Sequence, residues 1–539
     1  MKRIQLFSII LVGLALASCG SIENVVPQSG TMLSTQVQET YAIAPERAAA
    51  PFAGMFSDIG RPAKLYSTPD DWEFLMILFC NDLEGSDALI PDSNYNWFSV
   101  CGELSSRSAT YRNPAIRYRV PYGMIASVNT FLNGFGEEVT DPNSINMIAQ
   151  ARALRAWSYM LLAPQFQFNY QIAGDKPCVP LVTESFPEDF TNNPRAAVKD
   201  VYAQIIADLD YAVEKLEGSS RTSKMYIDGN VAHGLRARAY LDMGEWQKAY
   251  DDAVKAAAGY TPASLAEVSK PAFYDISEHN WIWGYDMTTD MARKYLYGTT
   301  SSWLRSYSGN GYAPACQCYT CINTLLYNKI SPNDIRKQWW VDENLESELL
   351  KGLAWPGFDD VANADDGDNK LPFIPYTNTK FGCISIGTVT NDEDMPLMRV
   401  EEMILIQAEC KAHMGDNAGA TSILENFVNT YRYKDGSYTV AEGGRSLLDE
   451  IWFQRRVELW GEGFGVNDIK RLNKPLVRFH DDKGNIAAAF RFNLPADDPW
   501  MLMRFPQGEL NTNFGIVDNT GGHLPVIDEN PSLRDGVTD

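Results

Sequence analysis

Apolar and small residues recur every three or four positions along much of the chain, which is the spacing of an amphipathic helix. The pattern from Ile148 to Leu162 predicts a helix near residues 145–163, and the pattern from Val201 to Leu216 predicts another near 195–217. A further helix is predicted from Leu447 to about Trp460, where a run of glycines ends it. The periodicity therefore predicts a mostly α-helical protein.

Two pairs of helices share one design. The first spans residues 229–258 with a turn at Gly244, and the second spans 401–431 with a turn at Gly415. Alanines at the predicted contacts let the two helices of each pair pack closely. The pairs resemble tetratricopeptide repeats, which are helical hairpins of about 34 residues. A generic helical hairpin is the alternative for either pair taken alone.

The pattern changes between about Asn280 and Asn391. Short apolar stretches alternate there with Gly, Pro and Asn, which indicates loops and a few short strands. Binding residues often lie in loops that a rigid scaffold holds. We therefore look for a ligand surface in this region.

The N-terminus has the features of a bacterial lipoprotein signal. Lys2 and Arg3 precede a short apolar segment, and small residues lead to Cys19, in a pattern that resembles the lipobox. We expect residues 1–18 to be removed, Cys19 to be acylated, and residues 19–38 to form a tether. Gly20 favours the outer membrane by the bacterial sorting pattern. An ordinary signal peptide is the alternative.

The rest of the chain, 39–539, is expected to form one domain, with an N-terminal part to about 275 and a C-terminal part from about 276. It holds no apolar run long enough to cross a bilayer. The whole chain of 539 residues is 45% hydrophobic, which excludes general disorder, and its net charge of −23 disfavours nucleic acid as a partner.

Eight cysteines follow Cys19, and an exported protein offers them an oxidising environment. Cys316, Cys318 and Cys321 are close enough in sequence to form a loop disulfide, and half of a zinc site is the weaker alternative because no second ligand pair has the usual spacing. A cluster of aspartates could bind calcium, although a solvated acidic loop fits its spacing better. Its members are Asp359, Asp360, Asp365, Asp366 and Asp368.

Ordered motifs across about 420 residues resemble the SusD/RagB family of Bacteroidetes outer-membrane lipoproteins. The motifs are Gly85–Pro91 with Trp97, Tyr122 with Ile125 and Asn129, Ala151–Tyr159, Val179–Glu184, Arg195–Val198, Tyr240–Trp246, Met398–Glu409, Arg455–Arg471 and Pro506–Leu510. The sequence departs from the family pattern at Gln454, where Glu is usual, and at Val466–Asn467, where Arg-Trp is usual. These departures affect local packing rather than the fold.

The resemblance implies a SusD-like fold, with tetratricopeptide-like hairpins as a scaffold and irregular loops as the binding surface. It implies a non-enzymatic, surface-facing lipoprotein that captures an oligosaccharide or polysaccharide and delivers it to a SusC-like TonB-dependent transporter. The helical hairpins are expected to face that transporter, because stacked repeats offer a broad rigid surface. The membrane is contacted through the lipid anchor only, and no cofactor is implied.

Charged residues within the apolar C-terminal helices are expected to form structural ion pairs between helices, because a buried charge is tolerated when it is paired. They are Arg399, Glu401, Glu409, Arg455, Arg456, Glu458, Glu462, Asp468 and Arg471. A catalytic carboxylate pair is the alternative.

A neutral glycan needs aromatic rings that stack on sugar faces and polar groups that bond sugar hydroxyls. Two loop regions offer this mixture, and the resemblance places the family's glycan surface in these loops. The candidate ligand-binding residues are Asn94, Tyr95, Trp97, Tyr295, Tyr297, Trp303, Arg305, Tyr307 and Tyr312. Burial of some of these rings in the core is the alternative.

The motifs of the common hydrolases, zinc proteases and nucleotide-binding enzymes are missing from the sequence. His233 and His413 fall on the hairpin helices, where we expect them to be packed or solvated rather than catalytic. Three alternatives to glycan capture stay open. They are the same fold binding peptide or glycopeptide, a surface glycoside hydrolase whose two carboxylates the sequence does not single out, and an assembly role without a ligand.

Overall fold

The computed structural model describes residues 34–539 except 93–95, 137, 185–188, 308–310, 352, 354–372, 385 and 388. The predicted signal peptide and Cys19 lie outside the described residues, as does the predicted acidic cluster. The last residues of the predicted tether, from Ser34, belong to a helix. Within the described residues, no helix has the length and apolar character needed to cross a membrane.

Helices account for most of the regular structure. The α-helices are α1 Ser34–Ile43, α2 Ala49–Ser57, α3 Glu73–Leu83, α4 Ser99–Gly102, α5 Arg112–Asn133, α6 Pro142–Phe166, α7 Tyr170–Ala173, α8 Val198–Leu216, α9 Gly229–Met243, α10 Trp246–Ala257, α11 Leu265–Val268, α12 Thr289–Ala292, α13 Thr300–Leu304, α14 Tyr312–Cys316, α15 Thr324–Tyr327, α16 Val400–His413, α17 Asn417–Tyr431, α18 Leu447–Glu458, α19 Gly465–Arg471 and α20 Gln507–Thr512. Short 3₁₀ helices are Pro45–Ala48, Ile335–Trp339, Glu348–Leu350, Ala488–Phe490 and Pro499–Met501.

Short strands pair two by two and in antiparallel fashion. The strands are β1 Ala88–Leu89, β2 Pro177–Pro180, β3 Arg195–Ala197, β4 Trp281–Tyr285, β5 Cys321–Ile322 and β6 Met395–Arg399. The pairs are β1 with β5, β2 with β3, and β4 with β6. Every residue of β4 and β6 is buried. The prediction of loops and small strands in the middle of the chain is confirmed.

The two predicted hairpins are present and pack on one another. Helices α9 and α10 form the first, α16 and α17 form the second, and α10 packs against α16. Gly244 ends α9 with a φ of +75°, a conformation that glycine adopts at little cost. Between the hairpins, the ring of His413 stacks on Trp246 with their centroids 3.9 Å apart. His413 is therefore packed, which is one of the two placements expected for it.

The charged residues of the C-terminal helices form buried ion pairs, as predicted. Arg399, where β6 meets α16, lies 2.7 Å from a carboxylate oxygen of Glu462 and 3.1 Å from one of Glu458. Arg432 at the end of α17 also pairs with Glu458, at 2.8 Å. The network therefore joins the strand and the helices that meet in this part of the core.

The cysteine loop differs from its prediction. Cys316 and Cys321 are both free thiols, so no disulfide joins any two of the three cysteines, and the predicted loop disulfide is wrong. The Cys318 thiol instead donates to the backbone carbonyl of Cys316, and the Cys321 thiol donates to that of Tyr319 and contacts the hydroxyl group of Thr377. Across the part of the chain that the structure describes, no group of three or more His, Cys, Asp or Glu side chains is arranged to hold a metal ion.

Candidate functional site

The first part of the site is a loop between α2 and α3 that carries Tyr66. The carboxylate of Asp71 accepts hydrogen bonds from the backbone N–H groups of Leu65 and Ser67, at 2.9 and 3.0 Å, and from that of Tyr66 between them. Three backbone donors on one carboxylate fix the path of the loop. Tyr66 is therefore held at the surface in a defined position.

Arg112, the first residue of α5, lies between two aromatic rings. Its guanidinium carbon is 5.2 Å from the centroid of the Tyr66 ring and 5.4 Å from that of Trp97, within the range of cation–π contacts. The same guanidinium forms an ion pair with Asp70. Arg112 thus connects the Tyr66 loop, the Trp97 loop and the start of α5.

The second aromatic group comes from the region of α13 and α14, far along the chain. Phe98, next to Trp97, meets Trp303 edge to face with their centroids 4.7 Å apart, and the Tyr297 and Tyr312 rings meet in the same way with their centroids 5.6 Å apart. Tyr295 lies close to Gly298, where a Cβ would stand only 2.7 Å from its ring. The two loop regions chosen from the sequence therefore meet in space.

We call this group the aromatic surface, and it consists of Tyr66, Trp97, Tyr111, Tyr295, Tyr297 and Tyr312. Tyr111 is 52% exposed, Trp97 40% and Tyr297 39%, so three of the rings present substantial area to solvent. A groove of about 210 Å³ opens beside them, and Asp70, Trp97, Tyr111, Arg112 and Asn113 line it. The arrangement combines flat apolar faces with polar groups at their edges.

The hydroxyl groups of Tyr295 and Tyr312 keep their protons near neutral pH. Partial burial raises the pKa of Tyr312, an effect that its hydrogen bond with Trp97 partly offsets. Partial burial and the nearby Asp70 carboxylate raise the pKa of Tyr295. A neutral phenol both donates and accepts hydrogen bonds, which suits a ligand rich in hydroxyl groups.

Three predicted site residues lie inside the protein, and their predicted place on the surface is wrong. Trp303, Arg305 and Tyr307 are each 0% exposed. Trp303 supports the aromatic surface from below, since its ring stacks on Tyr312 with centroids 4.5 Å apart and its indole N–H donates to the carbonyl of Tyr297. Arg305 and Tyr307 hydrogen-bond backbone carbonyls in the core.

Of the remaining predicted residues, Trp97, Tyr295, Tyr297 and Tyr312 belong to the aromatic surface, whereas Asn94 and Tyr95 lie outside the described residues. Sequence reasoning missed Tyr66, Tyr111, Arg112 and Asp70. The aromatic–basic pair Tyr111–Arg112, at the start of a long helix, is a sequence signal for two of them, whereas Tyr66 and Asp70 join the site only through the fold.

The described residues that line the groove do not include two carboxylates that could act as a catalytic pair. Among the described residues that line it, Asp70 is the one carboxylate, and it is paired with Arg112. Carboxyl groups with raised pKa values lie elsewhere, in the core. Burial raises the pKa of Asp82 to about 7, and its oxygens accept hydrogen bonds from the backbone of Gly463 and Gly465.

Two family models match the sequence. A model described as "Starch-binding associating with outer membrane", of the SusD-like type, matches residues 76–241, and the SusD family model matches residues 284–521. Together the matches span about three quarters of the chain and include every residue of the aromatic surface except Tyr66. None of the curated proteins matches the sequence.

Solved structures with the same fold come from Bacteroides species. A SusD-like carbohydrate binding protein from Bacteroides vulgatus is 24% identical with a TM-score of 0.70, over 87% of this chain and 96% of that one. A SusD superfamily protein from Bacteroides thetaiotaomicron is 18% identical with a TM-score of 0.68, over 88% and 99%. A sugar binding protein from Bacteroides vulgatus, so described, is 20% identical with a TM-score of 0.68, over 88% and 98%.

Proposed function

Because the chain belongs to the SusD family, we propose that it captures a glycan at its aromatic surface and delivers it to a SusC-like TonB-dependent transporter. The matching family models and the similar structures described as carbohydrate binding or sugar binding proteins support a carbohydrate ligand. The protein acts as a binding protein and not as an enzyme, and the binding step needs no cofactor.

The observation that carries the glycan proposal is the aromatic surface itself. The C–H faces of a sugar ring are apolar and stack on aromatic rings, while the hydroxyl groups around the ring edge need donors and acceptors. Trp97, Tyr111 and Tyr297 offer the exposed rings, and Arg112 and Asn113 offer donors beside them. A neutral glycan also meets no electrostatic barrier from a protein of net charge −23.

The proposed place of the protein is the outer face of the outer membrane. The lipobox-like sequence ending at Cys19 supports attachment by acyl chains, and the description of the first family model names the outer membrane. Two or more acyl chains anchor a protein stably. An anchored protein with a long N-terminal segment would keep its ligand close to a transporter in the same membrane.

A panel of glycans tests this function. The full-length protein, purified in detergent, is titrated by calorimetry with soluble plant, host and microbial polysaccharides, and each mixture is then assayed for released sugars. We expect binding to at least one polysaccharide without release. Release of sugars would identify a hydrolase instead. No detectable binding to any glycan, together with binding to peptides or glycopeptides in the same assay, would overturn the carbohydrate proposal.

A further inference from the structure

A second cavity lies between helices of the N-terminal and C-terminal parts of the chain. It encloses about 100 Å³ and shares no lining residue with the groove beside the aromatic surface. Helices α3, α6 and α9 and strand β6 supply its apolar walls, whereas α18, α19 and the loop between them supply most of its charged groups. The main apolar lining residues are Leu78, Trp157, Met160, Leu161, Leu241 and Leu397.

The cavity has room and access for a small molecule. Gln167, Asn169 and Asp242 line it and are half-buried, so its edge reaches the surface near the C-terminal ends of α6 and α9. An apolar cavity of about 150 Å³ holds one benzene molecule, so this cavity suits a molecule of about four to six non-hydrogen atoms.

Arg455 on α18 brings an unused hydrogen-bond donor to the cavity. Its side chain is 3% exposed, and its Nε donates to the carboxylate of Asp468 at 2.6 Å. Its Nη2 lies 4.0 Å from Glu402, beyond hydrogen-bond distance, and its buried Nη1 has no hydrogen-bond partner among the described residues. A buried donor without an acceptor is unfavourable, so an acceptor is expected beside Nη1.

Lys470 on α19 is a second buried cation at the cavity. It is 4% exposed, and its ammonium group donates to the backbone carbonyl of Pro164 at 2.7 Å. Within the described part of the chain, no carboxylate forms an ion pair with it. Burial lowers the pKa of Lys470 to about 7, and a negative charge nearby would favour its charged form.

The other charged groups that line the cavity already have partners. Asp468 and Glu462 each form two ion pairs with buried Arg or Lys side chains. Asp242 accepts a hydrogen bond from a tyrosine hydroxyl at 2.9 Å. The other two cations, Arg238 and Arg471, pair with glutamates. The unused donors therefore belong to cations, which favours a ligand with an anionic group.

We propose that this cavity binds a small aliphatic carboxylate of the size of propionate or butyrate. The ligand carboxylate accepts a hydrogen bond from Nη1 of Arg455, and Lys470 adds positive charge from α19. The short aliphatic chain lies against the leucine, methionine and tryptophan side chains of the walls. Because the cavity is separate from the aromatic surface, this site does not depend on the proposed capture of a glycan.

Arg455 also borders a smaller cavity of about 30 Å³ on its other side. That space suits a water molecule but is too small for a carboxylic acid. A water molecule there is the alternative acceptor for Nη1. It predicts that the larger cavity binds no carboxylate.

Ligand-detected NMR tests the site. The full-length protein, purified in deuterated detergent, is studied by saturation transfer with acetate, propionate or butyrate, and with propionamide as the neutral isostere of propionate. We expect saturable transfer to propionate and butyrate, and at least tenfold weaker binding of propionamide, because a hydrogen bond to a charged acceptor is stronger. No transfer to any carboxylate, or equal binding of propionamide, would overturn the proposal.

The Arg455→Lys variant removes Nη1 but keeps a cation that can pair with Asp468. We expect it to bind propionate at least tenfold more weakly than wild type. Arg456→Lys is the matched control, because the neighbouring Arg456 is also buried and paired with carboxylates but does not line this cavity. Wild-type affinity for propionate in Arg455→Lys would place the ligand elsewhere and contradict the proposed site.

A second variant tests the site without changing a charge. Ala163 on α6 lines the cavity and is 3% exposed, so Ala163→Val adds two methyl groups at the wall and reduces the space. We expect a larger loss of affinity for butyrate than for acetate, and circular dichroism checks that each variant melts cooperatively. Unchanged affinity for butyrate in folded Ala163→Val would show that the cavity is not the binding site.

Discussion

At the scale of single residues, neighbouring aromatic side chains have different roles because their surroundings differ. Trp97 is 40% exposed, and its ring lies against the guanidinium group of Arg112. Trp303 is fully buried, and both of its contacts with the aromatic surface, the stack on Tyr312 and the hydrogen bond to Tyr297, are made from inside. One ring is therefore available to a ligand, and the other positions it.

Replacement of Trp97 by alanine is expected to weaken glycan binding about tenfold without loss of folding. A stacked aromatic ring contributes about 1.5 kcal/mol, and 1.4 kcal/mol corresponds to a factor of ten in Kd. Calorimetry with the glycan found in the panel measures the effect. Phe514→Ala is the matched control, because Phe514 is 78% exposed but belongs to the C-terminal segment and should leave Kd unchanged. Equal affinity of Trp97→Ala and wild type would exclude Trp97 as a ligand contact.

The sequence singled out two segments that the structure brings together, but it did not distinguish the rings that face solvent from those that face the core. Each of Trp97 and Trp303 follows a polar residue and precedes a large apolar one, so local composition does not separate them. Their exposure depends on which distant segment covers each ring. One segment that covers Trp303 contains Pro69, more than two hundred residues earlier in the chain. The Pro69 carbonyl accepts a hydrogen bond from the Trp303 indole N–H.

At the scale of elements, buried ion pairs connect helices that apolar packing alone would leave free to slide. Glu458 at the end of α18 accepts hydrogen bonds from Arg432 and Arg336 and pairs with Arg399. Burial would raise the pKa of Glu458, but the three guanidinium groups lower it well below its usual range. The carboxylate thus stays charged in the folded protein and holds three elements together.

The Glu458→Gln variant is expected to lose about 3–5 kcal/mol of free energy of unfolding at pH 7, because it leaves buried arginines with too little negative charge. Since the folded pKa of Glu458 is lowered, its contribution is present above the unfolded value of 4.5 and is lost as pH falls towards the folded value. The difference between wild type and variant should therefore be constant from pH 6 to 8 and shrink below about pH 4.5. Urea unfolding at a series of pH values measures it.

The control for this variant is Glu245→Gln, which removes a carboxylate that is 46% exposed and paired with Lys248 on the surface. Exposed ion pairs contribute little, so we expect a change under about 0.5 kcal/mol. A loss for Glu458→Gln as small as that of the control would show that the network does not stabilise the fold.

Helices were predictable from the sequence where one face is apolar and the other polar. The predicted helices near 145–163 and 195–217 agree with α6 and α8 to within a few residues. Helix α3 was missed because every one of its residues is buried, so no polar face gives it a helical period. The bounds of α5 were missed because Pro121, which usually ends a helix, lies inside it.

At the scale of the whole molecule, the aromatic surface and the helical hairpins are built from different elements. Loops next to α3, α5 and α14 carry the aromatic surface, whereas α9, α10, α16 and α17 form the stacked hairpins. A surface made of packed helices changes little in shape when a loop binds a ligand. We therefore expect substitutions to alter the proposed ligand capture and the proposed transporter contact separately.

Arginine substitutions on α17 are expected to separate the two activities. Ser422 and Asn426 are exposed and lie one turn apart on one face of α17, so Ser422→Arg with Asn426→Arg places two large cations on that face without disturbing the core. We expect the double variant to lose co-purification with the transporter from detergent-solubilised membranes while its Kd for the glycan stays within twofold of wild type. The double variant Ser422→Ala with Asn426→Ala is the control for loss of the native side chains. Trp97→Ala should show the opposite result, with weak glycan binding and normal co-purification. If the arginine variant still co-purifies at the wild-type level, the transporter contacts another face of the molecule, and the proposed role of the hairpins is wrong.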